Sequence, residues 1–319
     1  MDADTPKREA ALPPGTALDR YRLGPCVGGG GFSLVYRGED VLTGQKVVIK
    51  EFMPSRLARR TASGQVIPAH PDLADRFRRG RRLFLREAST LARLHHPNIV
   101  RVLNFFGARG TIYMVMLWEA GENLQRYLHR HGGRLSERFL RTVFPPLLDG
   151  LEAIHLQDLL HLDIKPGNIH IRPGGRPLLL DFGAVHGFPQ SRRSQPGQVL
   201  SPGFSPSEQY QPNGYVGPWS DIYALGATLR ACIEGRPPLA ADRRYEGEML
   251  TPMTRLWQRH YTPELLRAID RAMELDPLLR PQSVAEFRQL FPDGPLPAAE
   301  PAEPSRLHRL VGSLPWKRS

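Results

Sequence analysis

Leu160-His161-Leu162-Asp163-Ile164-Lys165-Pro166-Gly167-Asn168-Ile169 is the stretch on which the reading of this chain turns. Polar side chains crowd a segment that also contains a proline and a glycine, so it reads as a loop with a chemical purpose. An aspartate there can accept a hydroxyl proton while orienting the oxygen. A nearby lysine can neutralise phosphate charge, and an asparagine oxygen suits Mg²⁺, a hard cation that prefers oxygen ligands. A hairpin follows, Asn168 to Arg172 and Arg176 to Leu180 about the Pro173-Gly174-Gly175 turn, and it ends in Asp181-Phe182-Gly183. Its pairing brings Asn168 and Asp181 to one end, where two oxygen-bearing residues suit a divalent metal.

Upstream, Val27-Gly28-Gly29-Gly30-Gly31-Phe32-Ser33-Leu34-Val35-Tyr36 sits between two expected strands. Glycines let a backbone approach a ligand and aim N–H groups at phosphate oxygens, although such a run also serves as a flexible turn. A strand, not a helix, is expected after it, which disfavours a dinucleotide-binding loop. Lys50 closes the apolar run Val47-Val48-Ile49 of the next strand. Glu87, on a helix whose apolar stripe must face the sheet, is placed to hold that lysine in an ion pair.

Around these residues the chain changes character once. Tyr21–Gly24, Ser33–Asp40 and Gln45–Phe52 are short β-rich runs broken by glycine; Leu83, Leu85, Ala88, Leu91, Ala92 and Leu94 recur at helical intervals; Asn98–Leu117 reads as two strands around Gly107–Gly110. Beyond Gly121 the periodicity is helical over 123–131, 137–155, 221–234, 263–275 and 284–290, with Ser283 and Glu286 forming a capping box and Pro145-Pro146 expected to interrupt the second helix. The fold class is α+β: a small antiparallel sheet lobe with one helix, then a larger, mainly helical lobe.

A length of 319 residues with 40% hydrophobic content supports one large core or two smaller ones. Cys26 and Cys232 stand far apart without metal-ligand spacing, which suggests neither a disulfide framework nor a zinc site and fits a reducing cytoplasm. The start does not read as a secretory signal, and no apolar stretch is long enough to span a bilayer. The net charge of +11 comes from arginines spread over several segments with no nucleic-acid-binding motif, so no nucleic acid is expected as a partner.

In order, spacing and context, these motifs, with IKEF, NIVRVLNFF, TIYMVM and SPSEQY, resemble the eukaryotic-type protein kinases, their bacterial serine/threonine branch in particular, from about Tyr21 to Phe291. The resemblance implies a bilobal kinase fold, ATP and Mg²⁺ as cofactors, and transfer of the γ-phosphate to Ser or Thr hydroxyls of protein substrates, autophosphorylation included. It implies that Val27 and the run Gly28, Gly29, Gly30, Gly31, Phe32 and Ser33 cover the phosphates, and that Lys50 contacts them while paired with Glu87. Asp163 would orient and deprotonate the substrate hydroxyl, Lys165 would steady the transferring group, and Asn168 with Asp181 would hold Mg²⁺. Val35 and Val48 would lie above adenine, Met116 would be the gatekeeper, Leu117 to Glu119 the hinge, and Asn123 a further nucleotide contact. Glu208 would pair with Arg280, and Asp221 would brace the catalytic loop.

The implied domains are a disordered tail at 1–17, a catalytic domain at 18–291 (N-lobe to about 117, C-lobe from about 120) and a disordered basic tail at 292–319. The chain departs from the family pattern in four places. Ser33 replaces the third glycine; Leu162 stands where many kinases carry an arginine that binds a phosphorylated loop; His170 occupies a usually apolar position at the adenine floor; and the link from Phe52 to Arg82 is long and arginine-rich. That basic insert or the C-terminal tail suits a protein partner, against a merely solvated loop. Ser191, Ser194 and Ser201 are the hydroxyls of the stretch 184–204. A nucleotide-binding pseudokinase scaffold is the alternative reading.

Overall fold

The computed structural model describes residues 10–181, 186–187, 200–211, 214–292 and 294. Its first lobe is built on a six-stranded antiparallel sheet from β1 (Ala17–Leu18), β2 (Tyr21–Gly29), β3 (Ser33–Asp40) and β4 (Lys46–Phe52). A small hairpin follows, β5 (Ala58–Arg60) with β6 (Val66–Pro68); then come helix α1 (Ala74–Leu91) and strands β7 (Val102–Ala108) and β8 (Thr111–Leu117). The sheet order is β1-β2-β3-β4-β8-β7, so β4 is central, with Lys50 opposite Val35 on one side and Met114 on the other. Successive side chains of a strand alternate between faces, so Val48, Lys50 and Phe52 share one face and Val47, Ile49 and Glu51 the other. Phe52 stacks against Phe77 and meets Phe84 of α1 at a tilt, which seats the helix beside Lys50.

Two expectations change here. Residues 10–17 are not a disordered tail: Leu12 is buried, its N–H donates to the Tyr36 hydroxyl, and the Gly15 N–H donates to the Leu23 carbonyl. The link after Phe52 is shorter than expected, because α1 begins at Ala74 and the hairpin β5–β6 fills much of the rest. One buried polar knot joins both segments to the sheet. Glu51, fully buried, accepts from the Tyr36 hydroxyl at 2.8 Å, the Tyr113 hydroxyl at 2.7 Å and Arg60 Nη2 at 2.6 Å, while Arg60 Nε donates to the Ala10 carbonyl. Arg60 is therefore no solvated charge. Arg60→Ala strands the Glu51 carboxylate in the core and should cost about 3 kcal/mol of stability, measured by urea denaturation; an unchanged midpoint would contradict the knot's role.

The second lobe runs through β9 (Glu122–Asn123), α2 (Leu124–Arg130), α3 (Glu137–His155), β10 (Leu159–Leu160), the hairpin β11 (Ile169–Arg172) with β12 (Arg176–Leu179), and β13 (His186–Gly187). Helices α4 (Ser207–Tyr210), α5 (Pro218–Glu234), α6 (Ala241–Tyr245), α7 (Met253–Leu256), α8 (Pro263–Ala272) and α9 (Val284–Leu290) complete it. Pro145 and Pro146 do not end α3: the prolines remove N–H donors to the Arg141 and Thr142 carbonyls, but Phe144, Leu147 and Leu148 are fully buried and hold the helix in place. Helix α5 is buried along nearly its whole length, and Gly226 lets it approach α8, since a Cβ there would lie 2.7 Å from Ala272 Cβ. Ser283 caps α9 by accepting from the Glu286 N–H, one half of the expected capping box; Glu286 Oε2 accepts from the Gln282 N–H, one residue before the cap. Among the described residues no helix is long and apolar enough to cross a membrane.

Candidate active site

The loop between β10 and β11 is shaped from below by Asp221, at the start of α5. Its fully buried carboxylate accepts from the His161 N–H at 2.9 Å, the Leu162 N–H at 2.7 Å and His155 Nε2 at 2.8 Å. These bonds hold Leu162 at φ +57°, a left-handed conformation that costs a leucine free energy unless its surroundings enforce it. The Leu162 side chain is buried with Leu160 and Val216, and its carbonyl accepts from Gln209 Nε2. A leucine thus fills with apolar packing the position where an arginine was the family's usual residue.

Asp163 emerges from this strained turn, 7% exposed. Lys165 Nζ donates to both of its oxygens at 2.9 and 2.8 Å, Asn168 Nδ2 donates to Oδ2 at 2.8 Å and to the Asp163 carbonyl at 2.9 Å, and Ser201 Oγ donates to Oδ1 at 2.7 Å. Lys165 also donates to Ser201 Oγ at 2.8 Å. Sequence reasoning grouped Ser201 with the loop hydroxyls and missed this contact. The usable signal was its place ahead of Pro202-Gly203, where a turn lets the Ser201 N–H reach Ser205 Oγ. Ser191 and Ser194 lie outside the described residues.

Across the cleft, Lys50 Nζ donates to Asp181 Oδ1 at 2.6 Å and lies 3.9 Å from Glu87 Oε1. The expected partner is thus the more distant one. Burial alone would lower the Lys50 pKa, but the charges of Asp181 and Glu87 outweigh it and hold the ammonium above its ordinary range. Asp181 shows the mirror effect: burial would raise its pKa, and Lys50 brings it below the usual carboxylate value. Asp163 acts on Lys50 and Lys165 on Asp181, which places the two clusters within electrostatic reach of each other.

Glu87 is the unsettled member. Its Oε1 is buried without a hydrogen-bond partner among the described residues, and burial pushes its pKa up to about 7, with Lys50 opposing and Asp181 adding to the rise. Folded Glu87 therefore keeps a proton that the unfolded chain releases near pH 4.5. Its contribution to stability is full below pH 4.5 and is lost as pH rises through about 7. The advantage of the nucleotide-free wild type over Glu87→Gln should shrink by roughly 1–3 kcal/mol between pH 5 and pH 8. Paired urea titrations at the two pH values measure it, and a difference that does not change with pH would contradict the shift.

The roof and rear of the cleft are placed by strand register. Gly28 pairs with Val35 and Gly29 with Leu34, and the Gly30 N–H donates to the Ser33 carbonyl. A Cβ at Gly28, Gly30 or Gly31 would meet no atom within 4 Å, so that side of the loop is open to a ligand, whereas one at Gly29 would lie 2.7 Å from the Ser33 carbonyl oxygen. Ser33 is buried, while Val27 and Phe32 project into solvent, each about half exposed (48% and 47%). Val48 pairs with Met116, which is 7% exposed. In the connection that follows, the Leu117 N–H donates to the Arg101 carbonyl and the Trp118 N–H to the Lys46 carbonyl. The Glu119 N–H has no such partner among the described residues, so of the three expected hinge amides only this one is free. Asn123 Oδ1 caps α2 by accepting from the Arg126 N–H at 2.8 Å, and His170 Nε2 bonds the Ala120 carbonyl at 3.2 Å.

For a divalent cation, the donor set is the side-chain oxygen of Asn168, whose Nδ2 bonds Asp163, and the second oxygen of Asp181. Two oxygen ligands fit Mg²⁺, which usually keeps several waters and completes its shell with substrate phosphates. Among the described residues no cluster of three His, Cys, Asp or Glu side chains offers a metal cage of protein ligands alone. Behind the loop, Arg280 forks onto Glu208, Nη1 to Oε1 at 2.7 Å and Nη2 to Oε2 at 3.1 Å, as the resemblance implied.

Residues 21–289 match the family model for the protein kinase domain. The chain is 31% identical over 274 residues to the serine/threonine-protein kinase PknA of Nostoc, covering 81% of this chain and 44% of that protein. It is 30% identical over 286 residues to a probable serine/threonine-protein kinase, SCO3848, of Streptomyces coelicolor, covering 84% and 39%. The chain thus spans less than half the length of these curated relatives. A solved structure described as the apo form of PpkA-294 superimposes with a TM-score of 0.79 at 35% identity, covering 89% of this chain and all of that one. With its sheet lobe, helical lobe and paired polar clusters across the cleft, this chain belongs to the protein kinase domain family.

Proposed function

We propose that the chain is a serine/threonine protein kinase that transfers the γ-phosphoryl group of Mg²⁺-ATP to protein hydroxyls. The observation that carries this reading is the convergence of Lys165, Asn168 and Ser201 on the Asp163 carboxylate, facing the Lys50–Asp181 pair. The Ser201 hydroxyl already donates to Asp163 at 2.7 Å, the bond that a substrate serine would make before losing its proton. In the proposed roles, Asp163 accepts the proton from the attacking Oγ, while Lys165 balances charge beside it. Lys50 orients the nucleotide phosphates, Glu87 steadies Lys50, and the glycine run closes over them. Met116 backs the adenine pocket, and the free Glu119 amide donates to the base.

Bound Mg²⁺ would bridge the phosphates and offset their charge, held by Asn168 and Asp181. With apolar packing at Leu162 in place of an arginine, activity is independent of activation-loop phosphorylation. A cytoplasmic location belongs to the same proposal, as does a protein partner at the basic stretch 52–82 or the C-terminal segment; the latter lies outside the described residues. Purified protein with Mg²⁺-ATP should phosphorylate itself or a generic basic protein, read by intact mass. Equal labelling by the Asp163→Ala variant would overturn the assignment of Asp163.

A further inference from the structure

Helix α1 buries Phe77, Phe84, Ala88 and Leu91 against the sheet, and its opposite face is singular in charge. With a step of about 100° per residue, Leu85, Arg78, Arg82, Arg86, Arg79 and Leu83 lie in that order across roughly 160° of the outer surface, with Ser89, Asp75 and Thr90 between them. Four arginines form the centre of the band and a leucine marks each edge. Leu83 is 49% and Leu85 37% exposed. Arg78 pairs with Asp75, whose charge also acts on Arg79 and Arg82, but Arg79, Arg82 and Arg86 form no ion pair of their own among the described residues, and Glu87, the other acid of the helix, turns inward to Lys50. Arg78, Arg82 and Arg86 follow at intervals of four, a spacing at which like charges repel. A merely solvated helix face usually balances the two signs; this one sets four arginines against the single carboxylate of Asp75 and exposes apolar rims beside them.

We propose that this face docks an acidic amphipathic helix of a partner protein, whose carboxylates meet the arginine band and whose apolar edges cover Leu83 and Leu85. A nucleic-acid or lipid phosphate array would neutralise the arginines but leave the paired leucine rims unexplained, so the leucines select a protein ligand. The surface narrows the partner site from the whole basic stretch to the outer face of α1, and leaves the loop before Ala74 out of it. Docking does not depend on phosphotransfer, so its failure leaves the kinase reading untouched. Because Arg86 precedes Glu87, the partner would abut the turn that carries the Lys50 ion pair.

The test uses the full chain and a fluorescein-labelled helical peptide bearing a glutamate stripe rimmed by leucines, followed by fluorescence anisotropy. Saturable binding is expected, weakened about tenfold or more by Arg79→Glu/Arg82→Glu/Arg86→Glu. It should also weaken severalfold on Leu83→Ser or when the peptide leucines become serines. These side chains are exposed, so the variants should melt with the wild type; if the triple variant does not fold, Leu83→Ser and the serine peptide decide. Absence of saturable binding would overturn the proposal. So would equal binding of the serine peptide, of a DNA duplex or of phosphatidylserine vesicles through the same arginines.

Discussion

Asp163→Ala should lower phosphotransfer by about 10³-fold while leaving nucleotide binding nearly intact. The carboxylate is the common acceptor for Lys165, Asn168 and Ser201, and nothing else among the described residues offers an oxygen acceptor in that position. The substitution removes the proton acceptor and frees the three donors from one geometry. Lys50 and Asp181 sit across the cleft and keep their 2.6 Å bond, and Asn168 Nδ2 keeps the backbone carbonyl of residue 163 at 2.9 Å, so the phosphate and metal ligands survive. Single-turnover labelling gives the chemical step, and a thermal shift with Mg²⁺-ATP gives the binding. A variant that loses both in proportion would indicate a collapsed loop, not a missing base.

Arg280→Ala should destabilise the chain by roughly 5 kcal/mol, enough to leave little folded protein near physiological temperature. The Arg280 side chain is fully buried and lies over the Tyr223 ring. It donates to both Glu208 oxygens and to the carbonyls of Glu274 and Leu275. Truncation takes the arginine from both carbonyls and leaves Glu208, 4% exposed, with the Ser220 hydroxyl at 2.8 Å and the Ser207 hydroxyl at 3.5 Å. Denaturant melts of the variant would check it. Glu208→Gln, which keeps the shape and removes one charge, should be less severe than Arg280→Ala because Arg280 retains its two carbonyl acceptors. The two variants being equally mild would contradict the buried pair's importance.

What the sequence discloses and what it hides follows from range. Strands β3 and β4 are legible because alternate residues must face a core, and the hairpin before Asp181 because Pro173-Gly174-Gly175 allows little but a turn. Such local chemistry also exposes Lys50, Asp163 and Asn168. The knot at Glu51 was not legible: in sequence, Arg60 resembles any other arginine of a basic loop, and only the fold brings it to a carboxylate flanked by Tyr36 and Tyr113. Leu12 was hidden for a similar reason, being one apolar residue in a Pro- and Ala-rich segment whose partner, Tyr36, is 24 residues away. Ser201 reaches Asp163 across 38 residues, and no spacing rule announces that contact. The Lys50 geometry shows the other limit. Residue types foretold the pairing with Glu87, but competition between two carboxylates for one ammonium is settled by placement, and Asp181 has the shorter bond.

The most direct test of the account is phosphoamino-acid analysis of a protein substrate incubated with this chain and γ-labelled ATP, with and without Mg²⁺, beside Asp163→Asn. The account predicts label on phosphoserine or phosphothreonine, absent without a divalent cation and absent with Asp163→Asn. Binding of Mg²⁺-ATP by thermal shift with no label on any substrate or on the chain itself would contradict it and make the cleft a nucleotide-binding scaffold.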